Sequence, residues 1–216
     1  MKLKRAKLLE LLRTNILRRF SKLSAEAEEH AEPGDEQPAF ETSRSELVRL
    51  LSQGAASRFI QLVGAQGSGK STLAKHLRSQ GGFSRLSMDK VLKHEPYLAY
   101  TPELLAERFY QLIKEALQRG ENICDDNLNC SRSARSKSLR LAREAGYTDI
   151  VIIHLDMPLE HCLRQNRKRV KEAPDEVLRR AWQRLQEEPV HKPKVGELIR
   201  LRPAEKEGYF LVSLVD

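Results

Sequence analysis

The chain has 216 residues, 40% hydrophobic and 31% charged, which suits a soluble globular protein with one substantial core and argues against disorder. No apolar run approaches the roughly 18 residues that span a bilayer, so a transmembrane segment is not expected. The net charge of +8 tilts the expected partner toward a polyanion such as nucleic acid.

In chain order, Leu8, Leu12, Ile16 and Phe20 recur at four-residue spacing, flanked by Leu9, Leu17 and Leu23. This predicts an amphipathic helix over residues 1–23 whose other face is basic, with Glu10 its only acid. Such a helix docks on its own domain or a partner, grips nucleic acid, or lies on a membrane surface. Residues 24–43 hold no Lys or Arg and collect acids around Pro33, Gly34 and Pro38, the signature of a solvated linker. The remainder, 44–216, opens with a short helical stretch around Ser45–Leu51 and then alternates. Strand-like runs at Phe59–Val63, Phe83–Ser87, Asn122–Cys124, Ile150–Leu155 and Tyr209–Val215 enclose helical patterns at Lys70–Ser79, Pro102–Arg119, Ser131–Ala145, Pro158–Val170 and Pro174–Gln186. Alternation of this kind predicts an α/β three-layer sandwich around a five-stranded, mainly parallel sheet. Cys124, Cys130 and Cys162 are odd in number and lack paired spacing, which fits a reducing, cytoplasmic compartment.

Between the first strand and helix lies "GAQGSGKST", which satisfies G-x-x-x-x-G-K-[ST] through Gly64, Gly69, Lys70 and Ser71. Gly64, Gly67 and Gly69 let the backbone aim successive N–H groups at phosphate oxygens, while Ala65 and Ser68 keep the loop tight. Gln66 and Thr72 complete the candidate nucleotide-binding segment from Gly64 to Thr72. Lys70 suits the β- and γ-phosphates of ATP, and the Ser71 hydroxyl suits Mg²⁺.

Asp89 follows the second strand candidate, where the carboxyl ends of parallel strands gather at one edge. A carboxylate there can take the proton of an attacking hydroxyl; the alternative is a plain helix cap. In "CDDNLNC", Asp125 and Asp126 face opposite sides if the chain stays extended, so one of them suits Mg²⁺; the alternative is an Asp–Asn turn. The cluster Arg164, Arg167, Lys168, Arg169 and Lys171 reads as a lid over a triphosphate, against the alternative of a solvated basic face. Arg132 and Arg135 fall on the expected acceptor side.

Together "GAQGSGKST", "SMD", "CDDNLNCSR" and "APDEVLRRAWQRLQEEP" resemble the P-loop kinase family that includes phage-type polynucleotide kinases, seryl-tRNA kinases and zeta toxins. The resemblance covers Phe59 to Asp216 and is nearest to the polynucleotide kinase branch. It implies catalytic roles for Lys70 and for Asp89 as base, Asp125 near the metal with Ser71, and Arg169 and Arg167 over the phosphates. The implied activity is ATP-dependent transfer to the 5′-hydroxyl of a polynucleotide. A zeta-toxin-like or metabolic sugar kinase and a non-catalytic ATP-gated nucleic-acid-binding protein are the alternatives. One departure concerns the acceptor: the arginines that flank the catalytic Asp in polynucleotide kinases are Met88 and Leu92 here, with Lys90 and Lys93 the nearest cations.

Overall fold

The structure, a computed structural model, describes residues 40–170, 172–206 and 208–215. The helix expected over 1–23 and the linker up to residue 39 lie outside the described residues.

Among the described residues seven strands form one sheet: β1 (Phe40–Ser43), β2 (Arg58–Val63), β3 (Ser84–Leu86), β4 (Ile123–Asp125), β5 (Asp149–Leu155), β6 (Glu197–Pro203) and β7 (Tyr209–Val215). Their order is β1-β7-β6-β5-β2-β4-β3. β3, β4, β2, β5 and β6 are parallel, whereas β7 runs antiparallel to β6 and β1 antiparallel to β7. The expected count of five is therefore corrected to seven. β6 escapes notice because its apolar residues interleave with Arg200 and Arg202, the alternation of a half-covered strand rather than a continuous apolar run. β1 falls inside the span assigned to the linker, where Phe40 is the single large apolar residue among acids.

Helices cover both faces. α1 (Arg44–Ser52), α2 (Lys70–Gly81), α6 (Leu159–Arg167) and α7 (Asp175–Glu187) bury Leu47, Leu73, Leu163 and Leu178 against Ile60, Leu62, Ile153 and Leu155. α3 (Met88–His94), α4 (Pro102–Gln118) and α5 (Arg132–Glu144) bury Val91, Phe109, Ile113 and Leu139 against Phe59, Val63, Ile150 and Ile152. The two faces follow from strand alternation: odd and even positions of β2 and β5 point to opposite layers. The buried Arg58 at the start of β2 is held by Asp149 at the start of β5, Nε to Oδ2 at 2.9 Å, so two central strands begin on an ion pair.

Three local features differ from expectation. The second strand stops at Leu86, because Ser87 becomes the N-cap of α3 and its hydroxyl accepts from the Lys90 N–H. A 3₁₀ turn, Pro96–Tyr100, joins α3 to α4. Pro102 opens α4 as expected, but Pro158 and Pro174 stand one position earlier, as the N-caps of α6 and α7.

Candidate active site

The loop Gly64–Gly69 links the carboxyl end of β2 to α2. Gly67 has φ +79°, and a Cβ there would lie 2.1 Å from the carbonyl oxygen of Cys162 on α6, so only glycine fits. Turning is thus one reason for this glycine and close approach to a neighbouring helix is another. Lys70 is buried, and its Nζ donates to Ala65 O at 2.7 Å, bent back into the loop it follows. Burial pulls its pKa below the ordinary lysine value, and the nearby Arg169 guanidinium acts in the same direction.

The hydroxyl of Ser71 donates to Asp126 Oδ1 at 3.2 Å. Asp126, and not Asp125, is the carboxylate beside the loop. Both residues are buried, but the chain turns them apart: β4 aligns Asp125 with Gln61 of β2 and Leu86 of β3. Asp125 accepts from Ser138 Oγ (2.9 Å) and Asn127 Nδ2 (2.8 Å), and Ser138 in turn accepts from Gln61 Nε2 (2.6 Å). Asp125, the residue expected near the metal, thus has both oxygens engaged away from Ser71. Its oxygens are taken up under α5, and it does not line the cleft. Asp126 Oδ2 is gripped by Arg85 through Nη2 at 2.6 Å and Nε at 2.7 Å. Burial raises the pKa of Asp126, and Arg85 pulls it back. A serine hydroxyl and a carboxylate converging here are the hard oxygen donors that Mg²⁺ takes, so the residues fit that ion.

Asp89 lies in the first turn of α3, exposed, and lines the same cleft as Lys70. It is not the cap; Ser87 is. Among the described residues no hydrogen bond or ion pair reaches the Asp89 carboxylate. The start of its helix is fixed by the Met88 N–H, which donates to Asn127 Oδ1 at 3.0 Å. The buried Asp125 therefore holds Asn127, and Asn127 holds the turn that carries Asp89.

Across the cleft stands the basic segment. Arg164, Lys168 and Arg169 line it, whereas Arg167 turns away to Asp175 at 3.6 Å. Asn166, fully buried, closes the base of this segment: its Nδ2 donates to Ala173 O (2.7 Å) and its Oδ1 accepts from the Ala173 N–H (3.2 Å). That clamp explains why α6 stops at Arg167 rather than running to Val170. Lys171 lies outside the described residues. Arg135, expected on the acceptor side, is buried, and its Nη1 and Nη2 donate to the carbonyls of Asn129, Cys130, Glu188 and Pro189.

The cleft measures about 2040 Å³ and is lined by residues 66–72 of the loop, with Gly64 and Ala65 beneath it. Sequence reasoning missed Lys75, Arg180 and Arg184 on its walls, and Arg44, Lys206 and Tyr209 at its far end. The last group depends on β1 and the β6–β7 hairpin, so no local motif announces it. Among the described residues no helix is long and apolar enough to cross a membrane.

The sequence profile described as an AAA domain matches residues 59–189, more than half of the chain. The chain belongs to the AAA domain family. The matched span of this AAA domain runs from β2 to just past α7, so it contains the loop, Asp89, Asp126 and the basic segment. A chain in the Pnkp1/Rnl/Hen1 RNA repair complex is similar at 22% identity, with a TM-score of 0.51 over 61% of this chain and 45% of that one. The AvrRxo1-ORF1:AvrRxo1-ORF2 complex with sulphate ions is similar at 19% identity and TM-score 0.51, covering 78% of this chain and 61% of its counterpart. The native form of that complex gives 18%, 0.50, 93% and 66%. These likenesses show the fold, and the chain spans between 45% and 66% of these three chains. No curated protein matches the chain.

Proposed function

We propose that the chain is an ATP-dependent kinase that transfers the γ-phosphate to a hydroxyl, with the 5′-hydroxyl of a polynucleotide as acceptor. The observation that carries this reading is one cleft lined by Lys70 and Ser71 at the phosphate loop, by the unpartnered Asp89, and by Arg169 opposite. A nucleotide switch has no need of a free carboxylate there; a phosphotransferase does.

In this reading residues 44–216 form the kinase domain. Backbone N–H groups of the loop and Lys70 hold the β- and γ-phosphates. Mg²⁺, held by Ser71 and Asp126, would neutralise phosphate charge when bound. The acceptor O–H gives its proton to Asp89 as its oxygen bonds to the γ-phosphorus; the bond to the β–γ bridging oxygen breaks, and ADP leaves. Arg169, with Arg164 and Lys168, stabilises charge on the transferred group and helps to exclude water. The polynucleotide acceptor is supported by the basic lining of the cleft and by the resemblance to phage-type polynucleotide kinases. Three free, buried cysteines fit a cytoplasmic location.

A labelled-ATP assay offering 5′-hydroxyl RNA and DNA oligonucleotides, mononucleotides and sugars tests the reading. Label on the oligonucleotide supports it; label confined to sugars overturns the acceptor, and ATP binding without product on any acceptor overturns the kinase.

A further inference from the structure

Arg85 does not line the cleft, yet it decides what the cleft sees of Asp126. On β3, Leu86 packs into the layer of α3, α4 and α5, so Arg85 points to the opposite layer, the side of α2. Asp126 follows the end of β4, and its N–H donates to the Leu86 carbonyl at 2.8 Å, which brings its side chain beside Arg85. The Lys90 Nζ donates to the Arg85 carbonyl at 3.1 Å and ties the strand end to α3.

Both contacts between the two side chains fall on one oxygen. Arg85 Nη2 stands 2.6 Å and Nε 2.7 Å from Asp126 Oδ2. A carboxylate oxygen accepts along two lone-pair directions, so this fork uses up Oδ2. Oδ1 keeps only the Ser71 hydroxyl, at 3.2 Å. The Asp126 side chain is 1% exposed and that of Arg85 14%, so solvent does not loosen the pair. A buried ion pair of this kind is a poor source of net stability; what it fixes is orientation.

That division bears on any cation held beside Ser71. Binding through both carboxylate oxygens means approaching Oδ2 against a guanidinium charge, with its lone pairs already taken. Asp126 therefore offers one oxygen. One or two carboxylate oxygens satisfy Mg²⁺, which is small, octahedral and keeps several waters. Ca²⁺ is larger, takes about six to eight oxygens and often draws on both oxygens of a carboxylate. We propose that Arg85 is a positioning residue that makes the Ser71–Asp126 pair select Mg²⁺ over Ca²⁺, by holding Asp126 to a single-oxygen ligand. Resting on the ATP and Mg²⁺ part of the kinase reading, this role is independent of the acceptor.

The test titrates ATP binding by calorimetry in Mg²⁺ and in Ca²⁺, with no acceptor present. Wild type is expected to bind Mg²⁺·ATP about tenfold more tightly than Ca²⁺·ATP. Arg85→Gln frees Oδ2 and removes the charge beside it, and is expected to reduce that preference about tenfold. Arg85→Lys keeps a cation at Oδ2 and should hold the ratio within about threefold of wild type. A ratio unchanged in Arg85→Gln, whatever its Tm, overturns the proposal and leaves Arg85 as a structural ion pair. Should Arg85→Gln fail to fold, the wild type decides: equal affinity for the two complexes overturns the proposal, and a preference for Mg²⁺·ATP supports it. ATP binding that ignores both cations overturns the metal site and this role with it. The expected cation preference without transfer to any acceptor overturns the kinase alone.

Discussion

Ser71 and Asp126, fifty-five residues apart, meet side chain to side chain at 3.2 Å, while Asp125 next door faces the opposite layer. The two aspartates should therefore fail differently. Asp126→Asn is expected to lower transfer and Mg²⁺-dependent ATP binding about 10- to 100-fold, and to lower Tm as well, because it leaves the Arg85 guanidinium without its charged partner. Asp125→Asn removes an acceptor facing the Ser138 and Asn127 donors, so it should cost about 1–3 kcal/mol of stability and leave the Mg²⁺ dependence alone. Mg²⁺ titration of ATP binding beside thermal melts checks both.

Asn127 couples the core to the helix that carries Asp89. Asn127→Ala frees the Met88 N–H and leaves Asp125 short of a partner. The expected result is a fall in kcat of about tenfold with the ATP KM unchanged, since the nucleotide side is untouched. Steady-state kinetics with each substrate varied separates the two constants.

Gly67 is wedged against Cys162. Gly67→Ala meets a backbone carbonyl and a φ of +79°, and a strained conformation of that kind costs about 1–3 kcal/mol. The loop is expected to shift, weakening ATP binding before any effect on the acceptor; calorimetric ATP titration reports it.

His154 on β5 is buried opposite Arg200 of β6, and its Nδ1 has no partner among the described residues. Burial lowers its pKa to about 4, with the nearby Asp156 pulling the other way. The unfolded chain therefore binds this proton more readily than the folded one. Its contribution is complete above the ordinary histidine value and is lost as pH falls toward 4. A shift of this size is worth about 3 kcal/mol. Urea unfolding at pH 7 and pH 4.5 should show a steeper loss for the wild type than for His154→Leu.

How far the sequence carries depends on how local each feature is. The phosphate loop is continuous in sequence, with a strand before it and a helix after it, so its place follows from one motif. Asp89 was also legible, because a carboxylate just after a parallel strand reaches the shared edge of the sheet. Choosing between Asp125 and Asp126 was not: alternation says that they diverge, but only the pairing of β4 with β2 and β3 says which faces Ser71. Arg135 looked available because two of the four backbone carbonyls that hold it come from residues 188 and 189, more than fifty positions on. β6 was hidden by its interleaved arginines, and with it the far wall of the cleft.

The most direct measurement compares Asp89→Asn with the wild type in two assays, phosphoryl transfer to a 5′-hydroxyl oligonucleotide and equilibrium binding of ATP. Loss of transfer by about 10²–10⁴-fold with ATP affinity preserved is the predicted result. Transfer that survives at wild-type rate would contradict the assignment of Asp89 as the base, and with it the proposed route of the phosphate across the cleft.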